Sequence, residues 1–315
     1  MSSELIAFVF PGQGSQQVGM LAASYKAFPV VRDTFEEASQ TLGYNIWSLI
    51  ENGPQEKLNL TEITQPVLLT ASVALWRAWQ QETVTRPSIM AGHSLGEFSA
   101  LVCASSLEFR DAVLLVRQRG QFMQDSVPVG EGAMAAIIGV DDAVIVRVCN
   151  AISQLHMGIV SAANFNSPGQ VVIAGHTKAV ELAITALKDE GAKRAIPLPV
   201  SAPFHTELMK PAGQRLAEAL AVVNISSPTI RVVHNVNAKS ENDPEKIRGL
   251  LIDQISSPVM WTSCIQTIVE AGTHHVVECG PGNVLSGLNR RIDKSLQSYT
   301  LDDPNSLIAA VAKLG

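Results

Sequence analysis

Excess basic charge is the first thing this sequence lacks. Its 23 Lys and Arg stand against 29 Asp and Glu, a formal net charge of -6. That balance argues against non-specific binding to nucleic acid or to an anionic membrane, because both need a basic surplus. Cysteine is scarce too. Cys103, Cys149, Cys264 and Cys279 are far apart and form no C-x-x-C pair, so no disulfide framework is expected, and a reducing, cytoplasmic setting is. No apolar run approaches the length of a membrane span, and the opening MSSELIAFVFPGQG has no basic n-region and too short an apolar stretch for a signal peptide. Neither H-E-x-x-H nor P-C-x-x-C occurs, so the H-x-E spacing of His205-Thr206-Glu207 predicts no metal. FPGQGSQ is glycine-rich, yet it lacks the Gly-Lys-Ser/Thr of a phosphate loop and the third glycine of a dinucleotide fingerprint.

What remains is ample material for a core. A chain of 315 residues with 46% hydrophobic and 17% charged residues accommodates one large domain or two smaller ones. Short apolar runs alternate with longer helical patterns: LIAFVF, a helix from about Gln65 to Glu82, the strand PSIMAGH, then two helical stretches up to Val127. After Pro128 the texture shifts to strand, helix, strand, turn, strand, helix, strand, the βαββαβ order of a ferredoxin-like module. From about Ser201 the larger α/β pattern resumes, with IRVVHNV and HHVVECG as buried strands and NAKSENDPEK as the most polar surface turn. The expected organisation is therefore a large α/β domain of residues 1–128 and 200–315, interrupted by a small domain of residues 129–199.

Gly92-His93-Ser94-Leu95-Gly96 lies between the strand-like SIMAG and the helical LGEFSALVCAS. Gly-x-Ser-x-Gly in that setting matches a nucleophile elbow, where a tight strand-to-helix turn pushes the serine hydroxyl outward. A glycine-flanked turn whose serine merely caps a helix has the same five letters. A serine nucleophile needs a base. His274 and His275 are neighbours on a strand and point to opposite faces, while His156 and His176 have no distinguishing setting. His93 is too close in sequence to act on Ser94. His205, in the loop VSAPFHTELM where the chain re-enters the large domain, is the candidate, and a helix-cap or packing role is its alternative. An elbow enzyme also needs two oxyanion donors. The amide of Leu95, just after the serine, and that of Gln13, in the loop after LIAFVF, are the expected pair.

One cation lies on the wrong face of its helix. At roughly 100° per residue, Ala112, Leu115, Val116, Phe122 and Met123 all fall within about 60° of Arg119, whereas Arg117 is opposite. A guanidinium there stays charged and needs an anionic partner or carbonyl groups. Either one of the chain's own carboxylates supplies it, or a carboxylate arrives with the substrate and is held beside the serine.

Taken in order, FPGQGSQ, AGHSLGEFSALVCA, VRQRGQFMQ, GAMAAIIG, NFNSPGQVVIAG, PVSAPFHT, QISSPVMW and ECGPGNVLSGL resemble the malonyl-CoA:acyl carrier protein transacylases of bacterial fatty acid synthesis, from about Ile6 to Ile292. The resemblance implies an α/β-hydrolase-like large domain carrying an inserted ferredoxin-like domain. It implies that Ser94 carries the acyl group, that His205 is base and acid, that Gln13 and Leu95 donate to the oxyanion and that Arg119 binds the malonyl carboxylate. Gln254 would help to hold the histidine and line the site, while His93 and Asn164 match positions near it. Carbonyl groups rather than a carboxylate would orient the imidazole. Leu95 and Phe204 resemble malonyl-selective relatives, although Phe204 replaces a serine found in other members, and its bulk should narrow the pocket.

The implied reaction is ping-pong transfer of malonyl from malonyl-CoA to the pantetheine thiol of acyl carrier protein, with no cofactor, and nothing in the sequence demands more than a monomer. The same elbow serves hydrolysis, and a catalytically silent docking subunit would retain the fold. The carrier is acidic in this family. Asn289 to Lys294, NRRIDK, and Lys193-Arg194 are the candidate basic patches for it, with a solvated helix end as the alternative reading.

Overall fold

The computed structural model describes residues 5–156, 158–200 and 202–315. Its strands are β1 (Ile6–Phe10), β2 (Ile89–Gly92), β3 (Gly132–Ile138), β4 (Val160–Ser167), β5 (Gln170–His176), β6 (Arg194–Pro197), β7 (Arg231–Val233), β8 (His275–Glu278) and β9 (Gln297–Thr300). They form two sheets, one mostly buried and parallel, the other antiparallel.

The parallel sheet has the order β7-β2-β1-β8-β9. Strands β1, β2 and β8 are buried along their whole length, as continuous apolar runs require when helices cover both faces. Alternation along β1 divides the core. Phe8 and Phe10 pack with Trp76 and Trp79 on one side, while Ala7 and Val9 pack with Val276 and Trp261 on the other. The C-terminal ends of β1, β2 and β7 therefore lie side by side, at the edge where open α/β sheets place their ligands.

The antiparallel sheet, order β4-β5-β3-β6, is built from residues 132–197 with helices Asp142–Gln154 and Thr177–Asp189 between its strands. Its two faces have different duties. Ala135, Ile137, Val171 and Ile173 pack against those two helices, whereas Met134, Ala136 and Val172, one residue out of phase, line a cavity facing the parallel sheet. In β4 the register shifts between Ala162 and Asn164. One extra residue there turns the following side chains over, so that Asn164 and Asn166 join the cavity face. Strand β4 is stitched at Val259, in the segment before helix Trp261–Glu270; the Val259 N–H donates to Ala163 O and its carbonyl accepts from Phe165 N, each at 2.9 Å.

Most strand and helix expectations fall on observed elements, with adjusted bounds. The helix expected from about Gln65 begins earlier, as Thr61–Glu82. The polar turn NAKSENDPEK is shorter than expected, because Asp243 caps a helix that starts at Pro244. Edge strand β9 and the short helices between Ala22 and Leu58 have no counterpart in the sequence reading. No helix among the described residues is long and apolar enough to cross a membrane.

Candidate active site

Ser94 lies one residue beyond β2, after His93, and immediately precedes helix Leu95–Cys103. Its backbone adopts φ 51 and ψ -105, a conformation that costs a non-glycine residue of order 1–3 kcal/mol. The flanking glycines make the turn possible. A Cβ on Gly92 would lie 1.8 Å from the main-chain carbon of Gly96, and one on Gly96 would lie 2.0 Å from Phe10 O. Ser94 makes no side-chain cap bond to the helix it precedes, so the capping alternative fails. Its amide instead donates to Asn235 Oδ1 at 2.7 Å, and Asn235 Nδ2 donates to Gly92 O at 2.7 Å.

The serine hydroxyl faces a histidine from a distant loop. Ser94 Oγ is 2.7 Å from His205 Nε2. On the far side of the ring, Nδ1 is 2.9 Å from the carbonyl of Gln254. A carbonyl can only accept, so Nδ1 carries the proton and Nε2 presents its lone pair to the hydroxyl. His205, with φ 61, also has a left-handed backbone. Burial, and after it the positive charge of Arg119, push its pKa down to about 3, so the imidazole is neutral and able to take a proton.

Arg119, on helix Phe109–Asp125, is 1% exposed. Its Nη1 donates to Gln65 Oε1 at 2.9 Å and its Nη2 to Gln254 Oε1 at 2.8 Å and to Ser94 Oγ at 3.2 Å. Among the described residues no acidic side chain lies within ion-pair distance of it, and its Nε has no partner. Burial lowers its pKa to about 10, an effect opposed by the charge of Glu97, and the guanidinium stays protonated at neutral pH. Of the two sources of an anion considered from sequence, a direct internal ion pair is not what the fold provides.

These groups converge on a cavity of about 250 Å³. Gln13, His93, Ser94, Leu95, Arg119, Asn164, Phe204 and His205 all line it, and no lining residue is acidic. The β1 loop is tied to the elbow by a bond from His93 N to Phe10 O at 2.9 Å. Leu95 opens its helix, where the first amides have no intrahelical acceptor. His93 Nε2 is 2.7 Å from Asn166 Oδ1, and burial above all keeps its pKa below the usual range. Among the described residues, Arg119 is therefore the sole cation on a wall of neutral groups.

One expectation needs correcting. Gln254 does steady the histidine, through its main-chain carbonyl, but it does not line the cavity. It is fully buried behind Arg119, where its side chain spans the guanidinium and a carboxylate. The residues that sequence reasoning missed are Gln65, Asn166, Glu97, His234 and Asn235. Only Glu97 carried a usable sign, an acid three residues into an otherwise apolar helix.

A strained serine, a neutral imidazole and a buried cation around one cavity are the equipment of a serine acyltransferase. The chain is an acyltransferase, for the family model described as acyl transferase domain matches residues 7–302. It is 55% identical to the malonyl CoA-acyl carrier protein transacylase of Salmonella typhimurium over 98% of this chain and 99% of that one. It is 45% identical to the protein of the same name from Bacillus subtilis, over 98% and 97% of the two chains. The solved transacylase of Coxiella burnetii superposes with a TM-score of 0.97 at 47% identity, covering 99% and 98%. A malonyl-transacylase in complex with a type II polyketide acyl-carrier protein superposes at 0.96 with 52% identity, covering 98% and 100%. The chain belongs to the malonyl CoA-acyl carrier protein transacylase family.

Proposed function

We propose that this enzyme moves malonyl from malonyl-CoA to the pantetheine thiol of acyl carrier protein through an ester on Ser94, supplying malonyl carrier protein for fatty acid chain elongation. The observation that carries the reading is the cation: Arg119 lies beside the nucleophile in a cavity with no acid on its wall. A buried guanidinium in that position asks for an acyl group that brings its own carboxylate.

His205 Nε2 takes the Ser94 proton as Oγ adds to the thioester carbonyl, and the amides of Gln13 and Leu95 receive the oxyanion. Collapse expels the coenzyme A sulfur, which takes the proton from His205. The carrier's thiol then gives its proton to His205 and attacks the malonyl-serine ester, and Ser94 leaves with that proton. The exchange is ping-pong and uses no cofactor.

The same reading extends to the architecture. The strand order β4-β5-β3-β6 with both helices on one face supports a ferredoxin-like domain at 129–199, inserted into an α/β-hydrolase-like domain of 1–128 and 200–315. The scarce, well-separated cysteines support a cytoplasmic setting.

Mass spectrometry of the intact protein after brief exposure to malonyl-CoA tests the reading, with Ser94→Ala as control. A serine-dependent malonyl adduct that clears on adding holo carrier protein is the expected result. Clearance at the same rate without an acceptor would make the enzyme a hydrolase.

A further inference from the structure

Polar side chains sealed from solvent must find their partners inside the fold. Glu97, His234, Asn235 and Gln254 are all fully buried, and they form one cluster beneath the serine whose acidic member has no part in the proton transfers above. Glu97 occupies the third position of helix Leu95–Cys103, from which a glutamate ordinarily reaches back to the amide that begins the helix. Here that amide belongs to Asn235, and Glu97 faces the other way. Its Oε1 is 2.7 Å from His234 Nδ1, and its Oε2 accepts from Asn235 N at 2.9 Å and from Gln254 Nε2 at 2.8 Å.

The last bond fixes a direction. A primary amide donates from one end and accepts at the other. With its nitrogen committed to Glu97, and to Ser94 O at 3.0 Å, Gln254 has only its oxygen to offer Arg119. Carboxylate, amide and guanidinium thus stand in series.

We propose that Glu97 is a positioning residue for malonyl selection: acting through Gln254, it orients and supports Arg119 from one amide away and leaves the cavity side of the guanidinium to the substrate's carboxylate. The inference rests on the reading of Arg119 given above. Direct contact between Glu97 and Arg119 would satisfy the cation and set an internal anion against the substrate. With no carboxylate nearby, the buried cation would have no countercharge until substrate came. Series placement avoids both. The charge of Glu97 also opposes the effect of burial on Arg119.

Glu97→Gln tests this with little change of shape. Its oxygen would keep accepting from Asn235 N–H and Gln254 NH2 while its new NH2 donates to His234 Nδ1, whose proton moves to Nε2, so the variant removes the countercharge behind Arg119 and leaves the shape of the relay. The readout is single-turnover acylation of Ser94 by malonyl-CoA and by acetyl-CoA. The malonyl-CoA concentration for half-maximal acylation should rise at least about tenfold, while the slow acetyl rate changes by less than about threefold. Gln254→Met should raise the malonyl half-saturation too, although its acetyl rate is no control, because Gln254 also holds His205 and bonds Ser94 O. The double variant should be no worse than the poorer single one, since both act on a single relay. Should Glu97→Gln not fold, Glu97→Asp, which withdraws the carboxylate by one methylene, is read the same way. An equal fall in malonyl and acetyl acylation would mean that Glu97 merely braces the elbow, and an unchanged malonyl half-saturation would mean that it has no part in selection. Either overturns the proposal. Failure of the underlying reading looks different, because the parent enzyme would then form no malonyl-serine ester at all.

Discussion

Arg119 Nη2 stands 3.2 Å from Ser94 Oγ, donating to a hydroxyl whose other partner, His205 Nε2, is 2.7 Å away. On the proposed reading, selection and catalysis meet at one atom, because the guanidinium assigned to the substrate's carboxylate also touches the hydroxyl assigned to attack the thioester.

Removing the cation should change what the enzyme accepts. Sites built around a buried polar partner can discriminate by roughly 10⁴ to 10⁵, and acetyl would leave Arg119 uncompensated. Arg119→Ala should cut the malonyl-over-acetyl ratio of kcat/KM by about 100-fold or more, equivalent to about 3 kcal/mol. A variant that still strongly prefers malonyl would show that selection lies elsewhere.

The pH profile offers a second check. Burial, and then the charge of Arg119, hold His205 at about 3. A lowered pKa keeps the base form present at lower pH, so the acid limb of kcat/KM moves down. Acylation by malonyl-CoA should stay level from pH 8 to about 5, where an ordinary histidine would already have lost most of its base form. In Arg119→Ala, assayed with acetyl-CoA, the largest depressing influence after burial is gone and the acid limb should move up. A parent limb near 6.5, or no upward movement in the variant, contradicts this account.

The elbow can be tested through stability alone. A Cβ at residue 96 would sit 2.0 Å from the carbonyl oxygen of Phe10 and 2.8 Å from its carbon, and main-chain atoms in the middle of a sheet cannot step aside cheaply. Gly96→Ala should cost about 3 kcal/mol in denaturant unfolding. A loss below about 0.5 kcal/mol, the usual scale of neutral surface changes, would mean that this packing is not as tight as described.

Docking of the carrier is a question of surface charge. Lys193, Arg194 and Arg291, drawn from both candidate patches, line one groove of about 480 Å³, and Gln170 lies on the walls of both this groove and the serine's cavity. Charge reversal at Arg290 and Arg291 should raise KM for carrier protein and leave that for malonyl-CoA unchanged. If neither constant moves, the patch is not a docking surface.

Much of the site was legible because its signals are local. Ser94 announces itself by five contiguous residues, and Arg119 by its angle on a single helix. His205 was found by elimination and by its place at a junction. What stayed hidden depends on partners remote in sequence. Glu97 meets His234 and Asn235, and no short pattern ties an acid on one helix to the residues just past β7. Gln254 was singled out only through resemblance and was then misplaced, since the two ends of its amide have duties that only three dimensions assign. The order strand, helix, strand, strand, helix, strand over residues 132–197 was readable from periodicity, whereas β9, with the sequence QSYT and no buried residue, had no apolar alternation to betray it.

The stitch at Val259 has a consequence for the size of substrate. Moving β4 away from the segment before helix Trp261–Glu270 would break both of its 2.9 Å backbone bonds, which opposes widening of the cavity on that side. A dicarboxylic thioester with a longer spacer should therefore acylate Ser94 more slowly than malonyl-CoA, because its carboxylate and its thioester carbon are harder to seat at Arg119 and Ser94 together.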